Sequence, residues 1–183
     1  MIDNHGWYKQ ARHVPSPFFD PRSDETDISL LVIHNISLPP GEFGGPYIEQ
    51  FFTGKLNPEE HPFFNVIHKM GVSAHCLIRR DGEVVQFVSF EQRAWHAGAS
   101  SYAGRSKCND YSIGIELEGS DFVAYTDAQY QALIELTQQI QQRYPQITLP
   151  RITGHQYIAP LRKTDPGLVF DWCRYRAGLG AER

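Results

Sequence analysis

The stretch GHQYIAPLRKTDPG, late in the chain, holds an imidazole, an ammonium group and a carboxylate in His155, Lys163 and Asp165. A second imidazole, His34, follows a strongly apolar run far upstream. Two histidines and one aspartate form a three-ligand set for zinc, and such a set leaves the fourth position open for water, as a hydrolytic zinc site requires. His34 is far in sequence from His155 and Asp165, and residues so far apart need not lie together in the fold. A shared metal site is therefore one of two interpretations.

The other interpretation gives each residue a separate structural role. A lone histidine such as His34 is more often a satisfied structural residue than a ligand. His155 follows Gly154, which suits a tight turn. Asp165 before Pro166 is typical of a helix N-cap followed by a first-turn proline. The residues alone leave both interpretations open.

Composition narrows the class of protein. The chain has 183 residues, 41% of them hydrophobic, which suffices for one domain with one core. A net charge of −4 argues against a nucleic-acid partner and gives no support for binding to an anionic membrane surface. The three cysteines form no CxxC pair, and we find neither a signal-peptide pattern nor an apolar run of ~18 residues, so we expect a cytoplasmic protein. No feature indicates an obligate protein partner.

Local patterns predict the elements that must position the candidate residues. Apolar, β-branched runs at 28–33 and 112–117 indicate buried strands, the first ending at His34. A β-hairpin is predicted from 74–78 and 83–88, which flank a turn signal. Helices are predicted over 47–52, from Asn57 to about 68, from a capping box at Thr126 to about 144, and from about Pro166 to 175.

These elements together predict the fold class. Residues 1–27 are expected to form an arm packed on the core, and residues 91–111 a long loop at a site. Strands interleave with helices, but a hairpin is included, so the sheet should be mixed. We therefore expect one α/β (α+β) domain over residues 1–183, with a central mixed β-sheet flanked by helices and the zinc site in a groove at the sheet's edge.

Five ordered motifs, spread over nearly the whole chain, resemble a known family. They are VIHNIS, SAHCLIRRDG, RAWHAG, NDYSIGIELEG and TGHQYIAPLRKTDPG. Together they resemble the zinc-dependent N-acetylmuramoyl-L-alanine amidases, a superfamily that includes phage lysozyme-type amidases and peptidoglycan recognition proteins. Within it, the chain is most similar to the cytoplasmic AmpD type, the 1,6-anhydro-N-acetylmuramoyl-L-alanine amidases. The resemblance implies one zinc ion per chain.

The resemblance also implies a role for each chemical group. The family's zinc ligands fall on His34, His155 and Asp165. The family's acid falls on Glu116, which would carry the proton from water to the departing amine, and its lysine falls on Lys163, which would stabilise the oxyanion. Because Glu116 and Glu118 share one face of a strand, periodicity does not separate them, and only the resemblance selects Glu116.

Substrate binding is expected from four further residues. Trp95 and His96 are candidates for lining a sugar pocket, since an indole face suits the C–H surface of a sugar, with ordinary packing as the alternative. Asn35 is either a substrate ligand or a loop cap. In the AmpD type, arginines at the positions of Gly71 and Lys107 hold substrate carboxyl groups. Gly71 lacks that charge, whereas Lys107 keeps the charge without the bidentate fork.

The implied activity is hydrolysis of the amide between the lactyl group of (1,6-anhydro-)N-acetylmuramic acid and L-alanine. The implied setting is the recycling of cell-wall muropeptides in a Gram-negative bacterium, with an indirect effect on β-lactamase induction. The alternative is a non-catalytic module that binds peptidoglycan fragments. Such modules typically lose a zinc ligand, whereas this chain keeps the ligand set together with Glu116 and Lys163.

Overall fold

The computed structural model describes residues 1–180 and contains a six-stranded mixed sheet. The last three residues of the predicted domain, 181–183, lie outside the described residues. The strands are β1 (Arg12–His13), β2 (Phe19–Pro21), β3 (Leu30–Ile36), β4 (Cys76–Ile78), β5 (Val84–Gln86), β6 (Gln92–Ala94), β7 (Ser101–Tyr102), β8 (Arg105–Ser106), β9 (Ser112–Glu118) and β10 (Ile152–Gly154).

The central sheet has the order β1-β5-β4-β9-β3-β10. The hairpin pair β4–β5 is antiparallel, and the other four neighbouring pairs are parallel. The predicted mixed sheet is therefore confirmed. Two small antiparallel pairs, β2–β6 and β7–β8, lie outside this sheet.

Helices flank the sheet, as the predicted fold class requires. They are α1 (Tyr47–Phe52), α2 (Pro62–Ile67), α3 (Asp127–Arg143), α4 (His155–Ile158) and α5 (Trp172–Gly178), with 3-10 turns at Cys108–Asp110 and Leu149–Arg151. Helix α3 begins as predicted, because Thr126 accepts the backbone N–H of Gln129 while the Gln129 side chain accepts the backbone N–H of Thr126.

Two predicted helix starts are wrong. Helix α2 begins at Pro62 rather than near Asn57, because the His61 side chain supplies the N-cap and Asn57 forms a turn instead. Helix α5 begins at Trp172 with Asp171 as its N-cap. The interpretation of Asp165 as the cap of the last helix is therefore wrong, and its carboxylate is available for other contacts.

Two segments predicted as irregular contain strands. The N-terminal arm supplies β1, which pairs in parallel with β5 at the sheet edge, and β2, which pairs with β6. The predicted loop 91–111 contains β6, β7, β8 and a 3-10 turn. Each of these strands has two or three residues, too few for a repeating pattern of apolar side chains to indicate them.

Strand β3 is apolar on both faces because both are covered. Leu31 and Ile33 belong to the core beneath α3, whereas Leu30 and Val32 pack on the opposite face with Ala97. Side chains alternate along a strand, so His34 continues the face of Leu30 and Val32. Within residues 1–180, no helix is both long and apolar enough to cross a membrane.

Candidate metal centre and active site

The site forms where three parallel strands end side by side. In the register of β3 and β9, His34 is the partner of Glu116, and both residues are buried. On the other side of β3, Gly154 of β10 is the partner of Ile33, so His155 follows directly beside His34. Ligand sites at the carboxyl ends of parallel strands are common in α/β proteins. The convergence of His34 on the His155 loop therefore follows from sheet order.

Three donor atoms meet at this edge. His34 Nδ1 lies 2.9 Å from His155 Nδ1, and each of these nitrogens lies 3.0 Å from Asp165 Oδ2. Among residues 1–180, these three residues form the one group of histidine, cysteine and carboxylate side chains arranged to hold a metal ion. The structure thus brings together the three predicted metal ligands.

The chemistry of this donor set fits zinc. Tetrahedral ligation at about 2.0–2.2 Å places donor atoms roughly 3.3 Å apart, close to the spacing observed here. Burial lowers the pKa of His34 to about 4, so its imidazole is neutral, as a ligand must be. Burial alone would raise the pKa of Asp165, but hydrogen bonds from His155 and His34 bring that pKa below its usual value and keep the group a carboxylate.

The second nitrogen of each imidazole faces the segment after β6. His34 Nε2 lies 2.9 Å from His96 Nδ1, and His155 Nε2 lies 3.2 Å from the backbone carbonyl of Ala97. The Asn109 side chain holds this segment, because its Oδ1 accepts the backbone N–H groups of His96 (3.2 Å) and Ala97 (2.8 Å). His96 and Ala97, which are neighbours in the chain, therefore orient the rings of His34 and His155.

Glu116 and Glu118 differ in what surrounds them, although they share one face of β9. Glu118 accepts hydrogen bonds from the backbone N–H groups of Gly44 and Arg80 and from the Arg79 guanidinium. Glu116 Oε2 has no hydrogen-bond partner among residues 1–180. Glu118 thus holds neighbouring loops in place, whereas Glu116 keeps an oxygen free for chemistry.

The protonation of Glu116 is set by its surroundings. Burial raises the pKa of Glu116 well above its usual value, the charge of Asp165 raises it further, and Lys163 opposes the rise. A carboxyl group whose pKa lies closer to neutrality is better suited to accept and return a proton. Lys163 and Glu116 line one cavity of about 380 Å³ with the three metal-ligand candidates.

The substrate-binding candidates lie in different places. Asn35 and Trp95 line the cavity, and Asn35 Nδ2 donates to Asp121 Oδ1 at 2.9 Å. Gly71 lies beside the Trp95 ring, where an added Cβ would make ordinary contact with Trp95 Cζ3 at 3.5 Å. His96 also lines the cavity but contacts His34. Lys107 is exposed on the segment after β8, where its backbone N–H donates to the Ser100 carbonyl.

Three residues that support the site carried no signal in the sequence analysis. Ala97 contributes only a backbone carbonyl, and Asn109 and Ser112 lie in a segment predicted as a loop and at the start of a predicted strand. A carbonyl oxygen is present in every residue, so no residue type marks it. All three residues lie within the motifs RAWHAG and NDYSIGIELEG, which carried the family resemblance, but the contacts between these two segments are defined only by the fold.

Comparison with known proteins defines the class of this fold and site. The family model described as N-acetylmuramoyl-L-alanine amidase matches residues 24–168. The chain belongs to this family, as its motifs predicted. It is 62% identical over 177 residues to the 1,6-anhydro-N-acetylmuramyl-L-alanine amidase AmpD of Citrobacter freundii, covering 97% of this chain and 94% of that protein. The AmpD of Escherichia coli K12 is 59% identical over 182 residues, covering 100% and 99%.

Solved structures agree with these sequence relatives. The crystal structure of a selenomethionine derivative of AmpD is similar with a TM-score of 0.95 at 61% identity, covering 98% of this chain and 99% of that one. The amidase AmiD of E. coli, in complex with the substrate anhydro-N-acetylmuramic acid-L-Ala-D-γ-Glu-L-Lys, is similar with a TM-score of 0.61 at 28% identity, covering 97% of this chain and 65% of that one. The AmpD-type resemblance and the fold class are therefore confirmed.

Proposed function

We propose that this protein is a zinc-dependent amidase that hydrolyses the bond between the lactyl group of 1,6-anhydro-N-acetylmuramic acid and L-alanine. The observation that carries the proposal is the meeting of three donor atoms within 3.0 Å beside a buried carboxyl group that has a free oxygen. The activity class is supported by about 60% identity to AmpD amidases over nearly the full length of both chains.

We assign one zinc ion per chain to His34, His155 and Asp165. When bound, zinc supplies Lewis-acid chemistry that polarises a carbonyl group and makes water a stronger acid. The Nδ1 atoms of the two imidazoles and Asp165 Oδ2, which lie 2.9–3.0 Å from one another, would hold the ion, and the carboxylate would supply the negative charge of the set. The three residues line the cavity together with Glu116 and Lys163, and we infer that the scissile amide lies in this cavity.

Glu116 carries the proton in this mechanism. It accepts a proton from the attacking water and delivers one to the nitrogen of L-alanine, which leaves as an amine. Its raised pKa suits both steps, because the group is neither a strong acid nor permanently ionised. Lys163, on the cavity wall, supplies a cation beside the negative oxygen that develops on the tetrahedral carbon, where a positive charge stabilises the transition state.

The substrate fills the cavity around these groups. We infer that the Trp95 ring faces the sugar and that Asn35, fixed by Asp121, presents a polar group to the muropeptide. Lys107 stays a predicted carboxylate ligand. Recycling of soluble wall fragments in the cytoplasm likewise stays a prediction, and fractionation of cells that express the protein at native level would check it.

Turnover of a synthetic 1,6-anhydro-N-acetylmuramoyl-L-alanyl peptide tests the proposal. The zinc-loaded protein should release free peptide and anhydro sugar, and E116Q should lower kcat by about 10²–10⁴-fold, because it removes the proton carrier without changing the shape of the side chain. The exposed Glu59 is the matched control, and E59Q should retain full activity.

Two results would contradict the proposal. A zinc-loaded protein that binds the muropeptide but releases no peptide would identify a binding module. Cleavage of intact wall polymer as fast as that of soluble fragments would exclude a role in recycling.

A further inference from the structure

The side chain of His96 contacts His34, one of the three proposed metal ligands. The sequence analysis considered His96 only as a substrate-binding residue. The Nδ1 of its ring lies 2.9 Å from His34 Nε2, and its Nε2 lies 3.1 Å from Ser112 Oγ. The three side chains thus form one line from the metal site into β9. Ser112 is fully buried, so its hydroxyl is shielded from solvent.

The direction of the hydrogen bonds in this chain decides which nitrogen of His34 carries its proton, and hence whether Nδ1 is free to bind a metal ion. A neutral imidazole donates from one nitrogen and accepts at the other. If His34 binds zinc through Nδ1, its Nε2 carries the proton and donates to His96 Nδ1. His96 then carries its own proton on Nε2 and donates to Ser112 Oγ. A hydroxyl both donates and accepts, so Ser112 suits this direction.

The opposite direction is also possible with the same atoms. Ser112 would donate to His96 Nε2, His96 Nδ1 would donate to His34 Nε2, and His34 Nδ1 would donate to Asp165 Oδ2, which lies 3.0 Å away. In that arrangement His34 Nδ1 cannot bind a metal ion. Each residue keeps the same number of protons in both directions, so the change is one of tautomers alone.

The fold holds the His96 ring in position from two sides. An added Cβ at Gly114 of β9 would lie 2.4 Å from His96 Cγ, so the ring occupies space that only glycine leaves open. The backbone N–H of His96 donates to Asn109 Oδ1. The ring is therefore fixed against the strand and does not rotate freely in the cavity.

We propose that His96 is a positioning residue, which accepts the Nε2–H of His34 in the hydrogen-bond chain His34–His96–Ser112 and thereby supports the tautomer that binds zinc through Nδ1. The proposal rests on the zinc site assigned above. It assigns His96 to the support of the metal site, and it gives Ser112 the role of the terminal acceptor. Partners of this kind keep ligand imidazoles oriented and raise metal affinity.

Zinc affinity measured by competition with a chromophoric chelator tests this role without using catalysis. H96A should weaken zinc binding by about 10–100-fold, because the Nε2–H of His34 loses its acceptor. H96N should recover most of this loss, since Asn Oδ1 occupies the place of His Nδ1 and is an acceptor only. The matched control is the exposed His5, and H5A should bind zinc like the wild type.

A second measurement reads the tautomers directly. In zinc-loaded protein with ¹⁵N-labelled histidine, NMR should find His34 and His96 each protonated at Nε2. S112A should weaken zinc binding in the same direction as H96A, but less, because the His96 ring stays in place. Thermal unfolding of metal-free H96A would show whether this variant folds. If it does not fold, the ¹⁵N spectrum of the wild type and the zinc affinity of S112A test the proposal instead.

The outcomes separate this proposal from the assigned activity. Wild-type protein that binds no zinc would overturn the zinc site itself. Tight binding by the wild type with unchanged affinity in H96A, or His96 protonated at Nδ1 in the zinc-loaded protein, would overturn the positioning role alone. Weaker zinc binding in H96A, with recovery of the affinity in H96N, would support the positioning role.

Discussion

Lys163 acts on two residues of the site through its charge. Burial is the main cause that raises the pKa of Glu116 and lowers the pKa of His34; the charge of Lys163 contributes less, opposing the rise at Glu116 and adding to the lowering at His34. Both effects favour the protonation states that the proposed hydrolysis needs, which are an ionisable carboxyl group and a neutral imidazole. The cation is thus coupled to the protonation of both groups, in addition to its proposed role beside the oxyanion.

Substitution of this lysine should separate catalysis from binding. K163M removes the charge while keeping an unbranched side chain, so we expect kcat to fall by about 10²–10³-fold with a much smaller change in KM, because the charge acts mainly in the transition state. Steady-state kinetics on the soluble muropeptide would measure both parameters. K55M, at an exposed lysine, is the control. An unchanged kcat in K163M would contradict the assignment.

The strands and helices explain what the sequence could and could not predict. The apolar runs of β3 and β9 and the capping box of α3 are local patterns, and each predicted element is present. The pairing of β3 between β9 and β10 brings residues 34, 116 and 155 together, and no local pattern contains that order. The family resemblance identified the three metal-ligand candidates. The order of the strands in the sheet explains why these residues lie close together.

One prediction belongs to β9. Ala at position 114 would force the His96 ring to move, because the added Cβ would lie 2.4 Å from His96 Cγ. We expect G114A to lower the free energy of unfolding by about 1–3 kcal/mol, as overpacked cores do, and to weaken zinc binding as well. Urea unfolding and chelator competition would measure the two effects.

The control for G114A is another glycine near the site. An added Cβ at Gly71 would meet the Phe18 and Trp95 rings at 3.5 Å, which is ordinary contact, so G71A should leave stability nearly unchanged. Equal effects of the two substitutions would contradict the steric explanation.

Over the whole molecule, Glu49 connects distant parts of the chain. Its carboxylate, on α1, pairs with Arg12 of β1 and with Arg79 beside the β4–β5 hairpin, at 2.7 and 2.6 Å. The hydrogen bond from Arg12 is the main cause that lowers the pKa of Glu49 from its usual value of 4.5 to about 2. The N-terminal arm is thereby tied to the core by charge as well as by strand pairing.

This lowered pKa predicts a dependence of stability on pH. A carboxylate with a lower pKa in the folded state stabilises the fold above the unfolded value of 4.5, and its contribution is lost as the pH falls from 4.5 through about 2. E49Q should therefore be less stable than the wild type at pH 7 and should lose less stability over that acidic range. Thermal unfolding at several pH values would measure this.

The control for E49Q is E59Q, at an exposed glutamate, which should follow the wild-type curve. A slope for E49Q equal to that of the wild type between pH 4.5 and pH 2 would show that the ion pairs with Arg12 and Arg79 do not contribute to acid stability.

The free oxygen of Glu116 has a consequence for selection. Burial raises the pKa of this carboxyl group well above its usual value, so keeping the group in the folded protein at neutral pH lowers the stability of the fold. E116M, which replaces the carboxyl group with an apolar side chain of similar length, should therefore unfold at a higher temperature while losing activity; a lower melting temperature would contradict this. A thermostability screen of random variants of this protein would then enrich inactive ones, so heat resistance and turnover have to be selected together.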